Sequence, residues 1–252
     1  MNKTSSTSKF LTACVGTILM IVLWQIVSLR THAIVLASPV DTFKAVVRLA
    51  GTGRFWSQLW ASFQRIVAGI ALGGLSGFVL GIAAGLVGTV RYVLEPLRWI
   101  LMSIPAVVVV VIAMLWFGMG SAMVVFITAL LLSPIVYINT VRGFEMVDGD
   151  IIEMARIYGF PRGLTVRHIY VPAVAGQVAS SLVVATGIGV RIVILAEVMG
   201  ASEGIGHALS LSRSTLEIPD LYAWVAVCIA IVGFIEYVVL KPIEHRIMRW
   251  RT

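Results

Sequence analysis

Arg191 and Glu197 stand six positions apart in GIGVRIVILAE, inside a stretch that is otherwise small or aliphatic. A guanidinium placed there can grip an anion such as a sulfonate, nitrate or carboxylate through charge-assisted, bidentate bonds, and ionisable groups within apolar spans commonly mark a solute path. Two plainer arrangements compete: Arg191 snorkels toward an interface, or it pairs with Glu197. Pro105 is a further pathway candidate, because a proline inside a helix frees a carbonyl one turn back and can kink the axis. Ser103, Ser133, Ser180 and Ser181 either line such a path or bond their own helices.

Hydrolytic chemistry has one foothold. Gly74, Leu75, Ser76 and Gly77 form a GxSG of the kind that carries a nucleophilic serine. Such a serine needs a general base within hydrogen-bond reach, and His32, His168, His207 and His245 all fall in loops or termini. The competing account is a small-residue stripe, Gly73, Gly74, Gly77, Gly81 and Gly85, that allows close helix packing. The histidines have no metal-ligand spacing, and no GxxxxGK[ST] loop is present to cradle a nucleotide.

A polar island, EMARIYGFPRGLTVRHIYVP (153–172), carries three arginines, an acid and a histidine between long apolar runs. Asp150 stands where an N-cap belongs and Glu153 three positions later, as in a capping box. Ile151, Met154, Ala155 and Tyr158 then share one apolar face of a short helix. Gly159 suits a left-handed helix end, and Pro161 forbids simple continuation. A second short basic helix is expected around 161–170. Helices this short are marginal alone, so this one must dock on its own bundle, on headgroups or on a protein partner.

The elements that must position these residues are membrane spans. The 252-residue chain is 59% hydrophobic and 12% charged, with mean hydropathy +0.99. Runs at roughly 10–29, 66–88, 97–117, 121–140, 173–198 and 220–240 each approach the ~20 apolar residues a helix needs to cross a bilayer. In lipid the backbone must be paired within each segment, and the alternation of a barrel is missing. The expected fold class is all-α: a polytopic membrane helical bundle with about six transmembrane helices. Residues 1–29 form an N-terminal tail and a retained first span, 30–65 a periplasmic connection, and 66–252 a core domain with the loop 148–172.

With the N-terminus inside, twelve Lys and Arg fall in inside segments and six outside. Positively charged loops stay cytoplasmic, so both termini and the polar island are expected inside. Arg30, Lys44, Arg48, Arg54 and Arg65 make the 30–65 connection a basic outside segment that opposes this mildly. The net charge of +7 reads as topology and attraction to membrane lipids, not nucleic-acid binding. Cys14 and Cys228 lie in apolar runs and behave as small buried residues.

The island resembles the cytoplasmic signature of permease subunits of bacterial ATP-binding-cassette (ABC) importers. That pattern is E-A-A, then Gly, Ile and Leu-Pro at fixed intervals; the chain has Glu153, Met154, Ala155, Gly159, Ile169, Val171 and Pro172 at matching spacing, with Met154 and Val171 as apolar departures. The likeness runs from about Ser38 onward and is nearest the nitrate, sulfonate and taurine permeases, through SPVDTF (38–43), SFQRIVAGIALG (62–73), IPAVVVVVIAMLWFGMG (104–120), PIVYINTVRGFEMVD (134–148) and AEVMGASEGIGHAL (196–209). The family pattern has no basic residue at the position of Arg191.

The resemblance implies a type I ABC importer permease fold in the bacterial inner membrane. It implies that the 150–160 helix docks in a cleft of an ATPase subunit, with Asp150, Ile151, Glu153, Met154, Ala155, Tyr158, Gly159, Ile169 and Pro172 carrying the coupling. Implied partners are two ATPase subunits, a second permease copy in a homodimer, and a periplasmic or lipid-anchored solute-binding protein. ATP and Mg belong to the ATPases, with no cofactor on this chain. The rival readings are an intramembrane serine-protease-like enzyme and a membrane scaffold without a pathway.

Overall fold

The computed structural model describes residues 6–32 and 35–242; Lys3, His245, Arg246, Arg249 and Arg251 lie outside them, as do the side chains of Lys9, Cys14 and Arg162. All the secondary structure described is helical. The first helix, α1 (Ser6–Arg30), shows apolar faces to its surroundings and is tied down at its end, where the Trp24 indole N–H donates to the Ala37 carbonyl at 3.1 Å.

Residues 30–65 are not a loose connection. Ser38 caps α2 (Pro39–Ala50): its hydroxyl accepts from the Asp41 N–H at 3.1 Å and donates to the Asp41 carboxylate at 2.7 Å, with Pro39 at the first helical position. Thr52 then caps α3, which begins at Gly53 and runs to Leu86, well ahead of the expected start at 66. Caps within a polar segment started helices that hydropathy alone could not show.

Three helices make the core. α3 and α6 (Ser121–Glu145) run parallel, and the glycines of α3 set their register. Gly69, Gly73, Gly77, Gly81 and Gly85 recur every four residues and face Thr128, Leu132, Val136, Thr140 and Phe144, which recur at the same interval. A Cβ on Gly77 would stand 2.4 Å from the Ser133 carbonyl oxygen, so only glycine permits this approach. α9 (Val171–Gly200) runs back antiparallel: its first turn meets Gly143, and at its far end the Gly200 carbonyl accepts from the Gly120 N–H at 2.9 Å. Val124, Ile127, Leu132, Val136, Val190 and Val193 are fully buried between them.

The expected third span, 97–117, is broken. α4 (Gly88–Ser103) and α5 (Ala106–Phe117) meet at 104°, with Pro105 between them. Proline forces the preceding residue out of helical geometry, and Ile104 is extended (φ −76°, ψ 129°). Pro105 therefore terminates one helix and starts the next. Pro134, by contrast, sits inside α6 without breaking it, because the Ser133 hydroxyl donates to the Leu130 carbonyl that the missing N–H leaves open (3.1 Å).

Among the described residues, four helices are long and apolar enough to cross a membrane: Gly53–Leu86, Ser121–Glu145, Gly163–Gly200 and Ile218–Val238. The bent α4–α5 pair makes a fifth if it counts as one crossing, and the described part of α1 from Val15 is a shorter apolar helix. The six expected apolar runs thus all fall on helices in their described parts, the run 97–117 being the one that is broken in its middle. The remaining elements are α7 (Gly149–Ile157), α8 (Arg162–Thr165), a π-helical turn Val166–Tyr170 leading into α9, α10 (Ile205–Ser214), and α11 (Ile218–Phe234) with a second π-helical turn, Ile235–Leu240. α7 therefore sits at one end of the bundle and α10 at the other.

Candidate functional site

The loop between α6 and α9 folds as the sequence suggests, with two corrections at its start. Asp148, not Asp150, is the N-cap of α7: its carboxylate accepts from the Asp150 N–H at 3.0 Å. Asp150 thus lies in the first turn and Glu153 a turn further on, so no capping box forms; Asp150 still favours the helix N-terminus through its charge. Ala155, expected to give a partner close approach, is 3% exposed and already covered by its own chain.

The C-terminal end of α7 agrees in detail. Gly159 adopts φ +68°, its N–H bonds the Arg156 carbonyl (3.1 Å) and the Phe160 N–H bonds the Ala155 carbonyl (2.9 Å), the paired bonds of a Schellman turn. Ile151, Met154 and Tyr158 are exposed, and Ile157 and Phe160 join them. This is an apolar surface on a nine-residue helix that stands outside the core. The expected second helix is not separate: after α8, the π turn carrying Ile169 feeds α9. Pro172 explains the widening, since it supplies no N–H to the carbonyl four residues back, and the Val171 N–H instead reaches the Val166 carbonyl. His168 Nδ1 lies 3.2 Å from the Leu164 carbonyl oxygen.

At the opposite end of the bundle Glu197 is buried and does not meet Arg191. Arg65 of α3 bonds its carboxylate at 2.8 Å, the two side chains being 5% and 0% exposed. The Ser62 hydroxyl donates to Glu197 (2.7 Å) and accepts the Ile205 N–H (2.8 Å), and the Gly206 N–H donates to Glu197 at 3.0 Å. Arg65 also donates to Ser121 Oγ (3.0 Å) and to the Glu203 carbonyl (2.5 Å), while Gln58 accepts the Gly204 N–H. α3, α6, α9 and the turn into α10 are thereby locked together. Gly204 (φ +109°) is required because any Cβ there would stand 2.3 Å from the Glu197 carboxylate. Both oxygens of this buried carboxylate are engaged by protein donors, which makes Glu197 part of a structural clasp.

Arg191 instead reaches across to Glu236 on the π turn that follows α11, at 3.2 Å, with the two side chains 57% and 45% exposed. Arg65, Ser62 and Glu236 were missed in the sequence. The available signal was the i, i+3 placement of Ser62 and Arg65 just before the glycine stripe, and a lone acid late in the apolar run 220–240. The four serines weighed for a pathway each bond their own helix: Ser103 to Trp99, Ser133 to Leu130, Ser180 to Gly176 and Ser181 to Val178. Ser76 does the same with Gly73 (3.2 Å), and among the described residues α3 supplies no histidine as a base.

A polytopic helical bundle with a projecting amphipathic helix at one end is the architecture of a membrane transport permease. The chain belongs to the family described as binding-protein-dependent transport system inner membrane component, whose model matches residues 77–248. It is 27% identical over 92% of its length to the putative aliphatic sulfonates transport permease protein SsuC of Bacillus subtilis (84% of that protein), and 26% identical over 96% to the taurine transport system permease protein TauC of Escherichia coli K12 (91% of that protein). A chain of an amino acid ABC transporter crystallised with histidines superposes with a TM-score of 0.63 at 16% identity, covering 82% of this chain and 96% of that one. A chain of the MetNI methionine ABC transporter, in inward-facing conformations, gives 0.58 at 16% identity, over 77% and 98%. This chain is accordingly a membrane-spanning permease component of an ABC importer, a part of a transporter.

Proposed function

We propose that two copies of this chain form the translocation pathway of an importer for a small organic anion of the sulfonate class, with an ATPase subunit docked on each α7. The observation that carries this reading is the exposed apolar face of Ile151, Met154, Tyr158, Ile157 and Phe160 on a helix closed by Gly159 and projecting from the bundle. A short helix with such a face fits a groove, and its close tether to α6 and α9 lets it push on both. ATP and Mg are held by the ATPases, none by this chain. The α7 end is cytoplasmic, both termini are inside, and the α10 end receives a solute-binding protein. The sulfonate class is supported by the names of SsuC and TauC.

Switching the bundle between two orientations from near-complete occupancy of one to near-complete occupancy of the other takes about 5.5 kcal/mol of differential binding. A rigid helix end can transmit that, which makes Gly159 the sensitive point. An L-residue there costs about 1–2 kcal/mol in left-handed geometry. Gly159→Asp adds a charge beside the docking face, and Glu153→Lys reverses one. Both variants are expected to insert normally but to lose ATPase retention and permease-stimulated hydrolysis by about tenfold, the factor carried by 1.4 kcal/mol. Pull-down of the ATPase with tagged permease, and hydrolysis in proteoliposomes, measure this; wild-type values in both variants would remove α7 from the coupling role.

A further inference from the structure

Among the ion pairs that link helices in the described residues, two that involve α9 are built differently. Arg65–Glu197 is sealed, with every oxygen of the carboxylate engaged. Arg191–Glu236 has a single 3.2 Å contact, leaving most of the guanidinium's five N–H donors and one carboxylate oxygen open, and both side chains are about half exposed.

The depth of this pair is what makes its exposure informative. Arg191 stands nine residues before Gly200 and twenty after Val171 on α9, about 13 Å and about 30 Å at the helical rise. It is therefore well inside a membrane-spanning helix, surrounded by exposed apolar side chains such as Val184 two turns earlier and Tyr237 and Val238 beside Glu236. Charged groups at such a depth face water or another subunit, not lipid tails. Gly187, one turn from Arg191 on the same face, leaves the approach open: a Cβ there would meet only Leu240 Cδ1, at 3.7 Å. Glu236 also falls in the π-helical turn Ile235–Leu240, a widening of the kind often found at functional sites.

We propose that Arg191–Glu236 is the resting state of an anion-exchange site on the water-filled pathway: Glu236 neutralises Arg191 when the site is empty, and the sulfonate or other oxyanion of the solute displaces the Glu236 carboxylate from the guanidinium in transit. This deepens the importer reading and rests on it. The exchange conserves charge at Arg191, since one anion replaces another. The empty pair then carries no net charge, while the single weak contact lets the solute compete. A fully satisfied pair such as Arg65–Glu197 would admit no such exchange.

The test uses the permease assembled with its ATPases in proteoliposomes, with Cys14 and Cys228 replaced by serine and Val184→Cys as reporter. Two methanethiosulfonate reagents of similar size are applied, one ending in a sulfonate and one in a trimethylammonium. The expected result is labelling by both, with an anion-to-cation rate ratio that rises severalfold in Glu236→Gln and falls below the parental value in Arg191→Gln. Taurine uptake is expected to show a lower KM in Glu236→Gln and to fall about tenfold or more in Arg191→Gln, as for loss of a charge-assisted bond. ATPase co-purification verifies that each variant is folded. A cysteine at 184 that neither reagent reaches would show the face sealed by lipid or protein, and ratios indifferent to both charge changes would leave the pair merely structural; either result overturns the proposal. Failure of the importer reading would show instead as ATP hydrolysis that never responds to α7 variants, whatever the labelling.

Discussion

Replacing Glu197 with alanine is expected to destabilise the folded chain by about 3–5 kcal/mol, the cost of stranding a buried charge when its partner is removed. Arg65 would keep its bonds to Ser121 and the Glu203 carbonyl but lose its counter-ion at 5% exposure. The Ser62 hydroxyl and the Gly206 N–H would lose their acceptor in the same step. Glu197→Gln is the milder change, since an amide oxygen still accepts two of these bonds while the charge is lost. The double variant Arg65→Ala, Glu197→Ala should cost less than the sum of the two single variants, because it leaves no unpaired ion. Melting temperature and monodisperse yield of the detergent-solubilised permease measure these variants together with Arg65→Ala. An alanine at 197 that melts with the parent would show that the clasp contributes nothing.

The second large effect belongs to the α3–α6 interface. Gly77→Ala places a methyl 2.4 Å from the Ser133 carbonyl oxygen and 2.9 Å from Val136 Cβ, and neither helix backbone can yield without moving the whole contact. Overpacking of this kind costs about 1–3 kcal/mol and sometimes more. Gly73→Ala, against the Ala129 carbonyl at 2.8 Å, should follow closely. Gly176→Ala is the control: it lies on α9 with nothing within 4 Å of its added Cβ, and should be neutral or slightly stabilising. The same melting assay ranks the series. A Gly77 variant no less stable than the Gly176 variant would mean that the two helices are not held at the described separation.

These two sites differ in how far the sequence announced them. The glycine stripe was legible because its interval is the helix period, and spacing alone places such residues on one face. Its partners were not, because nothing in the spacing of α3 says which of the other helices it meets. The clasp is half legible: Glu197 stands out as an acid in an apolar run, and Arg191 six residues away is one partner the sequence offers, but its partner in the fold is Arg65, 132 positions back. Arg65 reads as a loop charge, since the polar residues interspersed through 52–65 mask the start of α3 from any hydropathy window. Of the five basic residues in the 30–65 segment, Arg65 is buried against Glu197, while Arg48 pairs with Asp220 from an exposed position.

What the sequence determined by itself was local: helical spans from hydropathy, the end of α7 from Gly159, the amphipathic face of that helix, and the family from motif residues at fixed intervals. Each depends on neighbours within a turn or two, where backbone sterics and hydrogen-bond reach leave few choices. The tertiary structure alone decided that Pro105 breaks a span while Pro134 does not, that Asp148 takes the cap, that Ala155 is covered, and that Arg191 answers Glu236 while Glu197 answers Arg65. Those outcomes depend on which side chains converge from distant segments to complete a buried group's bonds, and no local rule orders that competition.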